Sequence, residues 1–109
     1  LILQVSGFIE EYYRDPRLCV SMIGDHFGRS PSYISRLFRS EFNISLSDYI
    51  AQYKVNKAIE LLKNTSMNVK EISDFLGYSN SNVFIRAFKK ITGLSPTQYR
   101  LSHFTHDQG

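Results

Sequence analysis

A chain of 109 residues that states the same pattern twice, half its length apart, has few folds open to it. With an offset of 49, Ile23, Asp25 and Gly28 fall on Ile72, Asp74 and Gly77; with an offset of 50, Ile34, Arg36, Phe38, Arg39, Ser45 and Tyr49 fall on Phe84, Arg86, Phe88, Lys89, Ser95 and Tyr99. The change of offset puts one extra residue in the turn of the second copy. Each copy reads as a short helix, a glycine-containing turn and a second helix, which is a helix-turn-helix unit.

Hydrophobic spacing fills in the rest. Val5, Phe8, Ile9 and Tyr12 recur at helical intervals, with Ser6 as the candidate cap and Pro16 as the stop. Val20, Ile23 and Phe27 predict a short second helix ending near Gly28, with Cys19 as a weak cap or a small buried residue, not a reactive thiol. Ser30-Pro31 opens a third helix, proline standing at the first helical position where its missing N–H costs nothing. There Ile34, Leu37, Phe38 and Phe42 share the inner face, and Ser32, Ser35, Arg36 and Arg39 the outer one. Asn43 can close that helix in the left-handed conformation, and Ser45-Leu46-Ser47-Asp48 has the form of a capping box.

Residues 47–63 carry apolar side chains on more than one face and predict a linking helix of about 25 Å, with Lys54, Lys57 and Lys63 on its solvated side. Val69, Ile72, Phe75 and Leu76 predict a fifth helix closed at Gly77. The sixth has Phe84, Ala87, Phe88 and Ile91 inside and Asn82, Ile85, Arg86 and Lys89 outside, and Gly93 stops it. Ser95-Pro96-Thr97-Gln98 predicts a last helix from about Pro96 to about Leu101. The expected architecture is all-α: about seven helices in an N-terminal lobe (1–46), the linking helix (47–63) and a C-terminal lobe (64–102), followed by a flexible tail (103–109).

Charge follows the repeat. Lys and Arg against Asp and Glu give −2 for residues 1–27, +3 for 28–40, −1 for 41–76, +4 for 77–101 and −1 for 102–109. The two positive blocks carry the outer faces of the two second helices, and neither block contains an acid. The stretch 77–101 alone holds Arg86, Lys89, Lys90 and Arg100. A helix fits a DNA major groove, where small, amide and arginine side chains meet base edges while basic and hydroxyl groups hold phosphates.

On these residues the chain resembles the AraC/XylS family of bacterial transcription regulators. The match runs from about residue 5 to 101: I-x-D-x-x-G-x-S-x-x-x-I-x-R-x-F-R (Ile23 to Arg39), Tyr49-Ile50 with Lys54, Ala58 and Leu61-Leu62, and G-Y-S-N-S-N-V-F-I-R-A-F-K-K-I-T-G-L-S-P-T-Q-Y-R (Gly77 to Arg100). It departs from the family's usual pattern at Gly24, Lys54, Asn80 and Val83, positions that bear on site specificity more than on fold.

The resemblance implies two helix-turn-helix lobes joined by a long helix, with both second helices entering successive major grooves of double-stranded DNA. It places base contacts at Ser32, Ser35 and Arg36 in the first lobe and at Ser81, Asn82, Ile85 and Arg86 in the second. Phosphate contacts are expected at Ser30, Arg39, Ser79, Lys89 and Lys90. It also implies RNA polymerase as a partner and a regulatory or sensor domain elsewhere in a longer chain. The start at Leu1-Ile2-Leu3, without an initiator methionine, accords with a fragment.

Other chemistry finds little support. One cysteine cannot form an internal disulfide or by itself a zinc site. Asp25 and Asp74 stand one per lobe, read as solvent-facing or salt-bridged, not as paired catalytic carboxylates. His26, His103 and His106 make no credible ligand set, and no nucleophile–base pair, phosphate-cradling glycine loop or cofactor fingerprint occurs. The expectation is a non-enzyme without cofactor or metal. With no long apolar run and no signal segment, it is placed in the cytoplasm without membrane contact. The alternative is a helical protein–protein interaction module whose basic faces only confer solubility.

Overall fold

A computed structural model describes residues 1–108, helical with short connections and with no strand among the described residues, and describes side chains for residues 1–102. Seven helices follow one another: α1 (Ile2–Tyr12), α2 (Val20–Phe27), α3 (Pro31–Phe42), α4 (Leu46–Asn64), α5 (Val69–Phe75), α6 (Ser81–Thr92) and α7 (Pro96–Gln108). The chain forms two compact units, Leu1–Tyr53 and Lys54–Gly109, with the division inside α4. No helix among the described residues is long and apolar enough to cross a membrane.

The first unit is built around Val5, Phe8 and Ile9 of α1, Leu18 of the connecting loop, Ile23 of α2, Ile34 and Phe38 of α3, and Leu46 and Ile50 at the start of α4. These side chains are spaced so that each helix turns one stripe inward, and fully burying a Phe, Ile or Leu side chain stabilises the fold by about 1.5–3 kcal/mol. In the second unit the buried apolar residues among those described are Val55, Ala58 and Leu62 of α4, Ile72 and Leu76 around α5, and Phe84 and Phe88 of α6. Phe84 and Phe88 lie 5.9 Å apart, and Tyr99 of α7 meets Phe88 edge-on at 5.5 Å.

Both units define their helix ends with the same devices. Gly28 and Gly77 take left-handed conformations, φ 66° and 82°, that a side chain would strain. Asn43 (φ 64°) and Gly93 (φ 85°) close α3 and α6, each donating its N–H at 2.8 Å to the carbonyl four residues back. Ser45 Oγ accepts from Asp48 N–H at 3.1 Å to start α4. At α7 the box is reciprocal: Ser95 Oγ accepts from Gln98 N–H at 3.1 Å, and Gln98 Oε1 accepts from Ser95 N–H at 3.0 Å.

Several expectations need correction. Ser6 is inside α1, not at its start, and its hydroxyl donates back to the Leu3 carbonyl at 3.0 Å. Cys19 occupies the position before α2 but is exposed and makes no side-chain capping bond. Phe42 is 39% exposed, stacked on Phe38 at 4.6 Å at the rim of the core, and Ile91 is also 39% exposed. Helix α7 continues to Gln108 beyond the expected end near Leu101. A second reciprocal capping box, Asn68 with Glu71, opens α5 and was not anticipated.

Lys54 is the largest reversal. It is only 7% exposed, with Nζ 4.8 Å from the centroid of the Tyr78 ring, so it does not belong to the solvated side of α4. Burial also pushes the Tyr78 phenol up from its ordinary pKa. Of the other two lysines, Lys57 is half-buried and pairs with Glu60 at 3.6 Å, while Lys63 is exposed.

Candidate nucleic-acid interface

In each unit the short first helix packs against the second, α2 on α3 and α5 on α6. That packing leaves the opposite face of α3 and of α6 outward. Each outward helix is held at its N-terminus by a side-chain cap: Ser30 Oγ accepts from Tyr33 N–H at 3.1 Å, and Asn80 Oδ1 accepts from Val83 N–H at 3.0 Å. The caps fix where the first turn begins, and so which residues point away from the core.

On α3, Ser32, Arg36 and Arg39 are exposed and Ser35 is half-buried. On α6, Asn82, Arg86, Lys89 and Lys90 are exposed, and Ser81 and Ile85 are half-buried. The half-burial of Ile85 accounts for an apolar residue that the helical pattern places outside: it lies on the flank nearer the core. Ser30 and Ser79, before the two helices, are both exposed.

The cations of these faces differ from others in how they are compensated. Among the described residues, Arg36, Arg39, Arg86, Lys89 and Lys90 have no carboxylate partner, whereas Arg17 pairs with Asp15 at 2.9 Å and Lys70 with Asp74 at 3.1 Å. Asp74 is thus salt-bridged and Asp25 is exposed, as anticipated. Two acid-free faces with uncompensated positive charge attract polyanions, because counterions condensed on the polyanion are released when those cations bind it.

Arg100 leaves this set. Its Nε donates to the Leu62 carbonyl and its Nη2 to the Thr65 carbonyl, both at 3.1 Å, so the guanidinium closes the C-terminal end of α4. A cation there satisfies carbonyls that have no helical partner and complements the negative end of the helix dipole. The sequence had offered it as part of a basic surface.

Sequence reasoning missed Asn80 as the cap of α6. The signal was there: an asparagine after a glycine turn and before a helical pattern. No group of three or more His, Cys, Asp or Glu among the described residues could hold a metal ion, and His103 and His106 have side chains outside the described residues.

Residues 23–102 match the family described as Helix-turn-helix domain. The chain is 38% identical over 86 residues to the uncharacterized HTH-type transcriptional regulator YtdP of Bacillus subtilis (strain 168), across 79% of this chain and 11% of that protein. The crystal structure of the C-terminal domain of the two-component response regulator yesN from Fusobacterium nucleatum superposes with a TM-score of 0.86 at 34% identity, covering 89% of this chain and 94% of that one. The DNA-binding domain of AdpA, solved in complex with a target DNA, shares the fold with a TM-score of 0.89 at 21% identity, covering 99% and 97%. The chain spans about a third or less of the length of the curated relatives it matches.

Proposed function

This chain belongs to the AraC-type helix-turn-helix family of DNA-binding transcription regulators, and on that premise we propose how its two units divide the reading of a duplex. Helices α3 and α6 each enter a major groove, in successive grooves of one double-stranded operator. Ser32, Ser35 and Arg36 meet base edges from α3, and Ser81, Asn82, Ile85 and Arg86 from α6. An arginine donates two parallel N–H bonds to guanine O6 and N7, serine hydroxyls and the asparagine amide read several edges, and Ile85 meets a thymine methyl. Ser30, Arg39, Ser79, Lys89 and Lys90 hold phosphates and set register.

The observation that carries this reading is the matched placement of Arg36 and Arg86, exposed and without a carboxylate partner on equivalent turns of α3 and α6. RNA polymerase and a sensor domain in a longer chain are the partners that such a regulator requires, and the cytoplasm is where it meets them.

The test begins with selection of bound duplexes from a random DNA pool. Arg36→Ala and Arg86→Ala are each expected to lose about 1–3 kcal/mol on the selected sequence and to relax preference within one half-site only. Equal losses on random DNA would remove these arginines from base reading. A footprint is expected to show two protected segments about one helical turn, ~10 bp, apart on one face. Binding that does not weaken log-linearly with salt would favour a protein-interaction module instead.

A further inference from the structure

In the first unit the residue after the left-handed glycine is Arg29, and its guanidinium carbon lies 5.8 Å from the centroid of the Tyr33 ring. Arg29 is exposed and Tyr33 is 43% exposed. The backbone is fixed at both ends of the pair: Arg29 N–H donates to the Gly24 carbonyl at 2.9 Å, and Tyr33 N–H donates to Ser30 Oγ at 3.1 Å. Among the described residues Arg29 has no carboxylate partner. A guanidinium resting on a ring face keeps its N–H groups free at the rim, and its planar fork suits a phosphodiester.

The matching residue of the second unit is Tyr78, whose N–H donates to the Ser73 carbonyl at 3.1 Å. There the roles of cation and ring are exchanged. The ring is on the turn, half-buried and 5.3 Å from Phe84, and the cation over it is the buried Lys54. One unit therefore encloses its cation–ring pair, and the other leaves it open to solvent at the start of α3. The charge pattern points the same way: α6 carries Lys90 where α3 has Ser40, so α3 with its turn matches the three cations of α6 only when Arg29 is counted.

We propose that Arg29, steadied by the Tyr33 ring, binds a DNA phosphate at the leading flank of α3. The inference rests on the DNA reading of α3 and deepens it: beyond the matched Arg39 and Lys89, the first unit adds a cation ahead of its helix where the second adds Lys90 behind its own. The ring holds the guanidinium in place, and its hydroxyl is not required.

The experiment is a salt titration of binding by the 109-residue chain, on a selected duplex and on a random one. Arg29→Ala is expected to reduce the magnitude of the log–log salt slope by about 0.9, the value of one phosphate contact, and to weaken both duplexes by the same factor. Arg29→Lys keeps the slope. Tyr33→Phe matches the wild type, and Tyr33→Ala falls towards Arg29→Ala. Arg17→Ala removes an equal charge from the same unit and is expected to leave the slope unchanged. An unchanged slope for Arg29→Ala, or an equal drop for Arg17→Ala, would overturn the proposal while leaving the DNA reading intact. Wild-type affinity in Tyr33→Ala would overturn the part given to the ring. Absence of binding by the wild type would sink the DNA reading itself.

Discussion

The two units make the same turn with different residues, and the difference follows from its length. In the first, a single residue, Arg29, separates the left-handed Gly28 from the capping Ser30, and the chain doubles back so closely that a Cβ built on Gly24 would meet the Arg29 carbonyl oxygen at 2.7 Å. In the second, Tyr78 and Ser79 separate Gly77 from Asn80, and the position matching Gly24 holds Ser73. Ser73 is fully buried, and its Oγ has no hydrogen-bond partner among the described residues. The shorter turn excludes a side chain on α2. The longer turn admits one on α5, at the cost of an unsatisfied hydroxyl.

The comparison can be broken most forcefully in the cores. Phe38 and Phe88 are equivalent and both fully buried, and replacing either by alanine is expected to cost about 3–5 kcal/mol in chemical denaturation. A loss below about 1 kcal/mol at one of them would end the claim that the two units are built alike.

A finer cut is made at the turns. Gly24→Ala is expected to destabilise the chain: overpacking against a fixed backbone oxygen costs about 1–3 kcal/mol, which outweighs the roughly 1 kcal/mol of helix propensity regained. The oxygen has little freedom to retreat, because the Arg29 N–H is tied to the Gly24 carbonyl. A raised melting temperature in this variant would show that the turn yields.

The smallest effect has the opposite sign. Ser73→Ala removes a buried hydroxyl that has no partner and is expected to stabilise by about 1 kcal/mol, read as a rise in melting temperature. A fall would mean that the hydroxyl is satisfied in solution, and would bring the two turns closer in kind.

Much of the fold was legible in the residues alone. The seven helices and the left-handed Gly28, Asn43, Gly77 and Gly93 follow from local rules, because an apolar stripe and a cap are properties of residues three or four apart. The outer faces were also largely readable: Ser32, Arg36, Arg39, Asn82, Arg86 and Lys89 are exposed where the helical wheel puts them. Ile85 was harder, since a wheel divides a helix into two faces while real packing grades exposure continuously along the flank.

The sequence by itself determined that there are two matched helix-turn-helix units and which helix in each turns a basic, acid-free face outward. Only the tertiary structure decided what the remaining long cations do. Lys54 looked solvated and is buried over Tyr78; Arg100 looked like part of the reading surface and closes the end of α4, bonded to Leu62, 38 residues earlier in the chain. Arg29, to which the sequence assigned no role, rests on an exposed ring. The reason is physical: periodicity fixes the direction in which a Cβ leaves its helix, but a lysine or arginine carries its charge several bonds further. Where that charge settles depends on carbonyls and rings that only the folded chain brings within reach.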